Sequence, residues 1–537
     1  MFLISALSIV FIVLMFFGYN SFIQTTKPVM MGAKQQEKVN WWNLVIILVL
    51  GLIVRYVLAK IDSGYEVDMN CFSYWSDQVY NDGFAAFYNS GTFADYPPGY
   101  MYILWVVGLF RHAFPALAGS TVALKMPAML CDLLTGVLVY KIANRRFDSL
   151  GATFLTCLYV FNPVVLIDSA MWGQVDSVFT LFVAIMIYLV AEKKLIPAYF
   201  VFAIGILVKP QTLILTPILG LGILDQVFFH NFSAKKFFKN LGFGLLAIVL
   251  MYVCVLPYAF DVYWVNYAAK TVAEGTIADT FLPVTGNIAI ASTSIFTRGI
   301  QSLLGAIALY AGTLTSYKFV TVNAYNFWEI FKLNWHDQAE IGFGLPYSTW
   351  GTIFIVLICL GALVVSILNR KSQNGSKYFF LGAFIVAGFF TLSVRVHERY
   401  MFPAFVLLLL AYLYKPKREY ILLYLSLVFA QVSNIWHAFK FYDPNNFDWE
   451  AMYPRVIGAI HAIIFVCFVV ILVKNFVLKR DEIEKETEDD EVLFVANTPE
   501  ASFIPNTGSA YSLRELDAAI TGTKCSHSSA TACNWFK

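Results

Sequence analysis

Trp350-Gly-Thr-Ile-Phe-Ile-Val-Leu-Ile-Cys-Leu-Gly-Ala-Leu-Val-Val-Ser-Ile-Leu368 carries no charge and stops against Asn369-Arg370-Lys371. An apolar run of that length approaches the roughly 20 helical residues needed to cross a bilayer. The basic pair behind it would be retained on the cytoplasmic side. Segments of the same kind recur near 2–19, 42–59, 122–142, 151–167, 175–191, 195–208, 212–229, 238–258, 378–393, 400–414, 421–436 and 456–474. About thirteen spans are therefore expected, and an all-α polytopic membrane protein.

Composition agrees. Of 537 residues, 59% are hydrophobic and only 13% charged, with a mean hydropathy of +0.66; a soluble chain carries about a quarter charged residues. The net charge of +2 forms no basic stripe, which excludes a nucleic-acid partner. The eight Cys lie mostly inside apolar runs, where a thiol acts as a small hydrophobe. Cys525 and Cys533 are read as unpaired tail thiols, and no metal-ligand spacing appears.

Lys and Arg fix the sidedness. Basic joints at Lys34 and Lys38, Arg145 and Arg146, Lys193 and Lys194, Lys235 to Lys239, Arg370 to Lys377, Lys415 to Arg418 and Lys474 to Arg480 alternate with joints poor in them. With the basic joints inside, 60–121 and 259–348 become large external loops, and short outer joints fall at 168–174, 209–211, 394–399 and 437–455. Tyr100 to Phe110 is too short to span, and a crossing at Ile300 to Ala311 would invert every basic joint downstream, so both are expected to be interfacial helices. The chain divides into an extra N-terminal span and linker (1–40), a transmembrane body (41–480) and an acidic, then Ser- and Thr-rich tail (481–537) expected to be disordered in the cytoplasm.

Ionisable residues at membrane depth are functional candidates, and the outer joints collect them. Glu66 and Asp68 follow the span ending near Leu58, among Tyr65, Phe72 and Trp75; a carboxylate so placed suits a general base. Asp77, further along, is expected only to be solvated. Asp95-Tyr96-Pro-Pro98 sets an acid and an aromatic at a rigid corner. Asp168 and Trp172-Gly-Gln174-Val-Asp176 crowd acids, an amide and an indole into one joint, groups suited to sugar hydroxyls and ring faces. Lys209-Pro-Gln211 and Arg395-Val-His397-Glu398-Arg399-Tyr400 put cations where the positive-inside bias disfavours them, which an anion on the outer face explains.

In order and spacing, these motifs together with Asn323-Ala-Tyr-Asn326-Phe-Trp328 resemble the GT-C glycosyltransferases over roughly residues 40 to 475. The likeness is nearest to bacterial relatives of the second mannosyltransferase of GPI-anchor synthesis and more distant to dolichyl-phosphate-glucose glucosyltransferases, whose His-Glu-Lys-His is here His397-Glu-Arg-Tyr400.

The resemblance implies a GT-C fold whose first external loop carries the catalytic Asp, which maps onto Asp68. It implies a polyprenyl-phosphate monosaccharide donor, mannose by likeness, and inversion at the anomeric carbon. The acceptor would be a glycan, lipid or protein hydroxyl, met at the extracytoplasmic face of the cell membrane. Lys209, Arg395, His397 and Arg399 would hold the donor phosphate. Asp95, Tyr96, Trp172, Gln174, Asp176, Gln211, Asn323, Asn326 and Glu398 would contact sugar or acceptor. No cofactor is expected, since fixed cations can stabilise a leaving phosphate, although the spacing of Glu66 and Asp68 could hold a divalent ion. Two alternatives use the same features: a polymerase or ligase acting on polyprenyl-diphosphate glycans, and a lipid-linked sugar flippase.

Overall fold

The computed structural model describes residues 2–19, 40–88, 93–229, 232–258, 295–315, 317–372, 374–441 and 452–478. Most of the linker before 40, residues 259–294 of the second external loop and the tail from 479 lie outside the described residues. What is described is mostly helical, with two two-stranded pairs and irregular connections between the elements.

All thirteen expected segments contain helix, but not all have the length of a span. Seven helices among the described residues are long and apolar enough to cross a membrane, or eight counting one bent pair. The shorter ones include Asp176–Ala191, Leu195–Val208, Ser376–Leu392 and Pro403–Tyr414. Their placement explains their length. Every residue of Pro403–Tyr414 is buried, as are nearly all of Ser376–Leu392, so these are core helices, apolar on every side. Ala234–Val255, by contrast, buries only Ala247 and Val255. A helix sheltered by protein can stop short of the headgroups, because irregular backbone at depth is tolerated when protein surrounds it.

The expected span 151–167 is broken, contrary to its reading as one helix. Ser149–Val160 and Pro163–Trp172 meet at 45°. Pro163 has no amide hydrogen to continue the ladder, and Asn162 caps the new start by accepting from Val164 N at 2.9 Å. The second piece ends in a π-helical turn, Ile167–Trp172, closed by Gly173 at φ +91°. Residues 168–172 are thus helical and buried, where an outer loop was expected.

The helix ends fall into two groups. At one, Arg145 meets Glu192 (3.8 Å), Arg146 donates to Tyr414 O (2.5 Å), Lys377 meets Asp225 (2.5 Å) and Lys474 meets Glu419 (3.7 Å). These are the joints read as cytoplasmic. At the other, the joints read as external contact one another: Asp62 pairs with Lys440, Tyr96 with Gln174, and Arg395 with Gln338. Between the two groups, Arg55 Nε and Ser169 Oγ both donate to Asp132 Oδ2, at 3.0 and 2.6 Å, with all three residues fully buried.

In the first external loop, Glu66–Asn81 packs on Pro98–Ala113, the expected interfacial helix. Ser76 Oγ donates to Leu104 O at 3.0 Å, and Arg111 reaches Asp77 at 3.2 Å. Asp77 is therefore a partner in the loop's packing rather than a merely solvated acid. The apolar patch at 300–311 lies in the helix Ile295–Thr315.

Candidate active site

Three short joints on the external group bring the site together, and a proline shapes each. Pro163 starts the broken helix that delivers Trp172, Pro210 follows Lys209 at the end of Leu195–Val208, and Pro403 opens the helix after His397 to Tyr400. Proline at a first helical position loses no hydrogen bond and pre-sets the turn.

Asp68 occupies the first turn of Glu66–Asn81, a favourable seat for a carboxylate. Its Oδ2 accepts from Trp172 Nε1 at 2.9 Å and also from Gln174 Nε2. The oxygen of the same amide, Gln174 Oε1, accepts from Tyr96 OH at 3.3 Å. Trp172 is 3% exposed; Phe439 stacks on it at 4.9 Å, Tyr65 packs at 5.3 Å and the Arg399 guanidinium lies 4.7 Å from its ring centroid. As placed, the indole anchors Asp68 and offers little free ring face.

A few residues on, Lys209 Nζ donates to Asp176 Oδ1 at 2.7 Å, both side chains nearly inaccessible (5% and 1%). Arg399 Nε is 3.6 Å from Asp176 Oδ2, and its Nη1 donates to Glu398. Asp168 is fully buried beside this group, with neither carboxylate oxygen hydrogen-bonded. Gln211 Nε2 donates to Tyr400 OH at 3.0 Å, while its Oε1 is buried without a hydrogen bond. Acids thus outnumber the two cations, Lys209 and Arg399.

Burial first, and these neighbouring charges second, set the proton affinities of the group. Burial, with the Asp68 charge adding, pushes Asp95 up to about 6, although its own backbone amide and Lys209 pull the other way. Burial also raises Glu398 above the ordinary carboxyl range, partly countered by Arg399. Burial works against the Arg399 cation, but the surrounding carboxylates outweigh it and hold the guanidinium protonated. His397 is pushed well below its usual value, first by burial and then by Arg399 and Lys209, so it is neutral rather than a third cation.

The other residues picked out in the sequence lie in the surrounding frame. Arg395, at φ +62°, turns its Nε to Gln338 Oε1 at 2.7 Å. Thr321–Val322 pairs in parallel with Val396–His397, which ties the second external loop to the His397 joint. Asn323 accepts from Asn334 Nδ2 (3.2 Å) and Trp335 Nε1 (3.0 Å); Asn326 caps Trp328 N and donates to Phe390 O. The Asn323 side chain is engaged within that loop, and the Asn326 side chain also ties it to the helix Ser376–Leu392. Glu66 is exposed, and among the described residues no three His, Cys, Asp or Glu side chains are grouped as ion ligands.

Lys125, Arg55 and Asp132 were not singled out from the sequence. The signal was present, since each is an ionisable residue within or at the edge of an apolar helix.

A half-buried carboxylate, Asp68, thus lies anchored beside the buried Lys209 and the largely buried Arg399 on a helical scaffold with membrane-spanning character. The model of a known family, dolichyl-phosphate-mannose-protein mannosyltransferase, matches residues 95–259, which include Asp95, Trp172, Gln174, Asp176, Lys209 and Gln211. The match, over less than half of the chain, supports a membrane glycosyltransferase of GT-C, mannosyltransferase-like type.

Proposed function

We propose that the protein transfers one sugar, mannose by family likeness, from a polyprenyl-phosphate carrier to an acceptor hydroxyl at the extracytoplasmic face, with inversion. The observation that carries this reading is the convergence of Asp68, Lys209 and Arg399 through Trp172, Gln174 and Asp176.

Asp68 takes the acceptor's proton as its oxygen attacks the anomeric carbon, and the bond from that carbon to the phosphate oxygen breaks on the opposite face. The donor phosphate is a diester bearing about one negative charge; as the product leaves it becomes a monoester approaching two. Lys209 and Arg399 face that gain in charge. A fixed cation contributes most where charge develops in the transition state and water is excluded. To reach the phosphate, Arg399 must give up Glu398, and the raised proton affinity of Glu398 lowers the cost of that exchange.

The test is incubation of purified protein with a panel of polyprenyl-phosphate monosaccharides and a membrane extract, read by mass spectrometry. A product one hexose heavier and free polyprenyl phosphate are expected. Consumption of polyprenyl-diphosphate oligosaccharides alone would favour the polymerase or ligase, and carrier movement without bond cleavage the flippase.

A further inference from the structure

Lys125 is buried in the helix Thr121–Ala143, and its ammonium meets three backbone carbonyls: Asp62 O at 2.8 Å, Met171 O at 2.9 Å and Ala170 O at 3.1 Å. An ammonium has three hydrogens, and all are used. A buried lysine is expensive unless its charge is met. Here it is met by helix ends. Asp62 is the C-cap of Trp41–Ile61, and Ala170 and Met171 lie in the last turn before Gly173, where carbonyls have no onward partner. A cation on the negative end of a helical turn is also favoured by the aligned peptide dipoles.

Both chains that Lys125 holds lead directly to Asp68. From Asp62 the backbone passes Gly64, Tyr65 N donates to Trp172 O at 3.0 Å, and the helix bearing Asp68 begins. From Met171 it passes to Trp172 and Gln174, the two donors to Asp68 Oδ2. The glycines on either side are shaped to this knot. Gly64 (φ +101°) would place a Cβ 3.1 Å from Lys125 Cε and 2.8 Å from Trp172 O; Gly173 (φ +91°) would place one 3.1 Å from Lys125 Cγ and 2.5 Å from Met69 Cε.

We infer that Lys125 is a positioning residue for the transfer reaction: by drawing the carbonyls of Asp62, Ala170 and Met171 onto one ammonium, it fixes Asp68 and the Trp172–Gln174 pair that orients it. The inference rests on the reaction proposed above. A neutral side chain of similar length leaves the carbonyls without their common centre. An arginine carries the charge, but its flat fork does not match three converging acceptors.

Lys125→Met in the full-length protein tests this in two ways. In kinetics, donor KM stays within about two-fold while kcat falls by about 100-fold, the effect of a misplacement of roughly 1 Å at a reacting group. Lys125→Arg does not restore it. Added to Asp68→Asn, Lys125→Met causes no further loss, because residues acting as a unit are not additive. An unchanged kcat, a rise in KM alone, or full additivity with Asp68→Asn overturns the inference.

The second readout needs no turnover. With isotope-labelled tryptophan, the Trp172 indole N–H resonance is assigned by its loss in Trp172→Phe, and it moves in Lys125→Met towards its place in Asp68→Asn. A resonance unmoved in folded Lys125→Met shows that Lys125 does not set the joint, whatever the kinetics. A wild-type protein that uses no polyprenyl-phosphate sugar sinks the functional reading while the indole test stands. If Lys125→Met does not fold, Gly173→Ala disturbs the same knot and must show both the kcat-selective loss and the indole shift; a Gly173→Ala enzyme with wild-type kcat and resonance refutes the proposal.

Discussion

The indole nitrogen of Trp172 holds Oδ2 of Asp68 at 2.9 Å across 104 residues of chain. With Gln174 on the same oxygen, one edge of the carboxylate is committed to the protein, and in the proposed reaction the proton goes to Oδ1. Asp68→Asn keeps the size of the side chain but cannot take a proton at neutral pH. Transfer should drop by at least about 100-fold with donor binding retained. Trp172→Phe should lower kcat less, because Gln174 still holds the carboxylate. Near-normal transfer by Asp68→Asn, with loss in Asp95→Asn or Asp176→Asn, would move the base elsewhere.

Lys209 and Asp176 are buried together, so removing Asp176 leaves a bare cation, and removing Lys209 leaves Asp176 only the longer contact to Arg399 at 3.6 Å. Lys209→Ala should destabilise the protein by about 3–5 kcal/mol as well as weaken donor use. Lys209→Ala combined with Asp176→Ala should regain most of the thermal midpoint but not the turnover. If the pair recovers turnover too, the lysine serves folding rather than the phosphate.

The proton affinity of Glu398 gives donor binding a pH dependence. Its carboxyl titrates above the usual range because burial disfavours the charged form. As pH falls through that raised value Glu398 is neutralised, and Arg399 is released to the donor phosphate. Donor Kd should therefore decrease on acidification in the range above the ordinary carboxyl pKa. Glu398→Gln should bind tightly throughout, with no such slope; a slope that persists there rules Glu398 out as its source.

Asp95 makes a second pH prediction, on stability. Its folded value of about 6 lies above the reference of 3.8, so its contribution is fully present below 3.8 and is lost as pH rises through 6. Asp95→Asn should melt at higher temperature than wild type at pH 8, and the difference should shrink as pH falls through 6 and vanish below about 4. A wild-type advantage at pH 8 contradicts the cause assigned to the shift.

Sidedness is testable without activity. In a cysteine-free background, Gly119→Cys should react with an impermeant maleimide added from outside, and Lys371→Cys only after permeabilisation. The reverse pattern would put the Asp68 cluster on the cytoplasmic side.

Much of this was legible in the sequence, because each apolar run had to become a helix and each unexpected charge had to meet a partner. Asp68, Trp172, Gln174, Asp176, Lys209 and Arg399 are neighbours in space as their shared joints suggested. The depth of those joints was not legible. Hydropathy assigns a twelve-residue core helix such as Pro403–Tyr414 to a full crossing, since shelter by other helices leaves no mark on its own composition. Nor could periodicity show that Arg399 would be matched by Glu398 and Asp176, or that His397 would be kept neutral, since both follow from packing across distant segments. The charge of Lys125 stood out in its apolar run, but what it meets did not: its partners are main-chain carbonyls, which every sequence has.

The buried contact between Arg55 and Asp132 also bears on biosynthesis. The two lie 77 residues apart, and neither has another opposite charge within salt-bridge reach among the described residues. During synthesis Trp41–Ile61 reaches the membrane long before its counter-ion, with an arginine whose placement mid-span is disfavoured by about 2.5–3.5 kcal/mol on insertion scales. That helix must wait beside the insertion machinery, or with its guanidinium drawn towards the surface, until Thr121–Ala143 arrives. A nascent chain halted before Asp132 is left with that guanidinium unmatched.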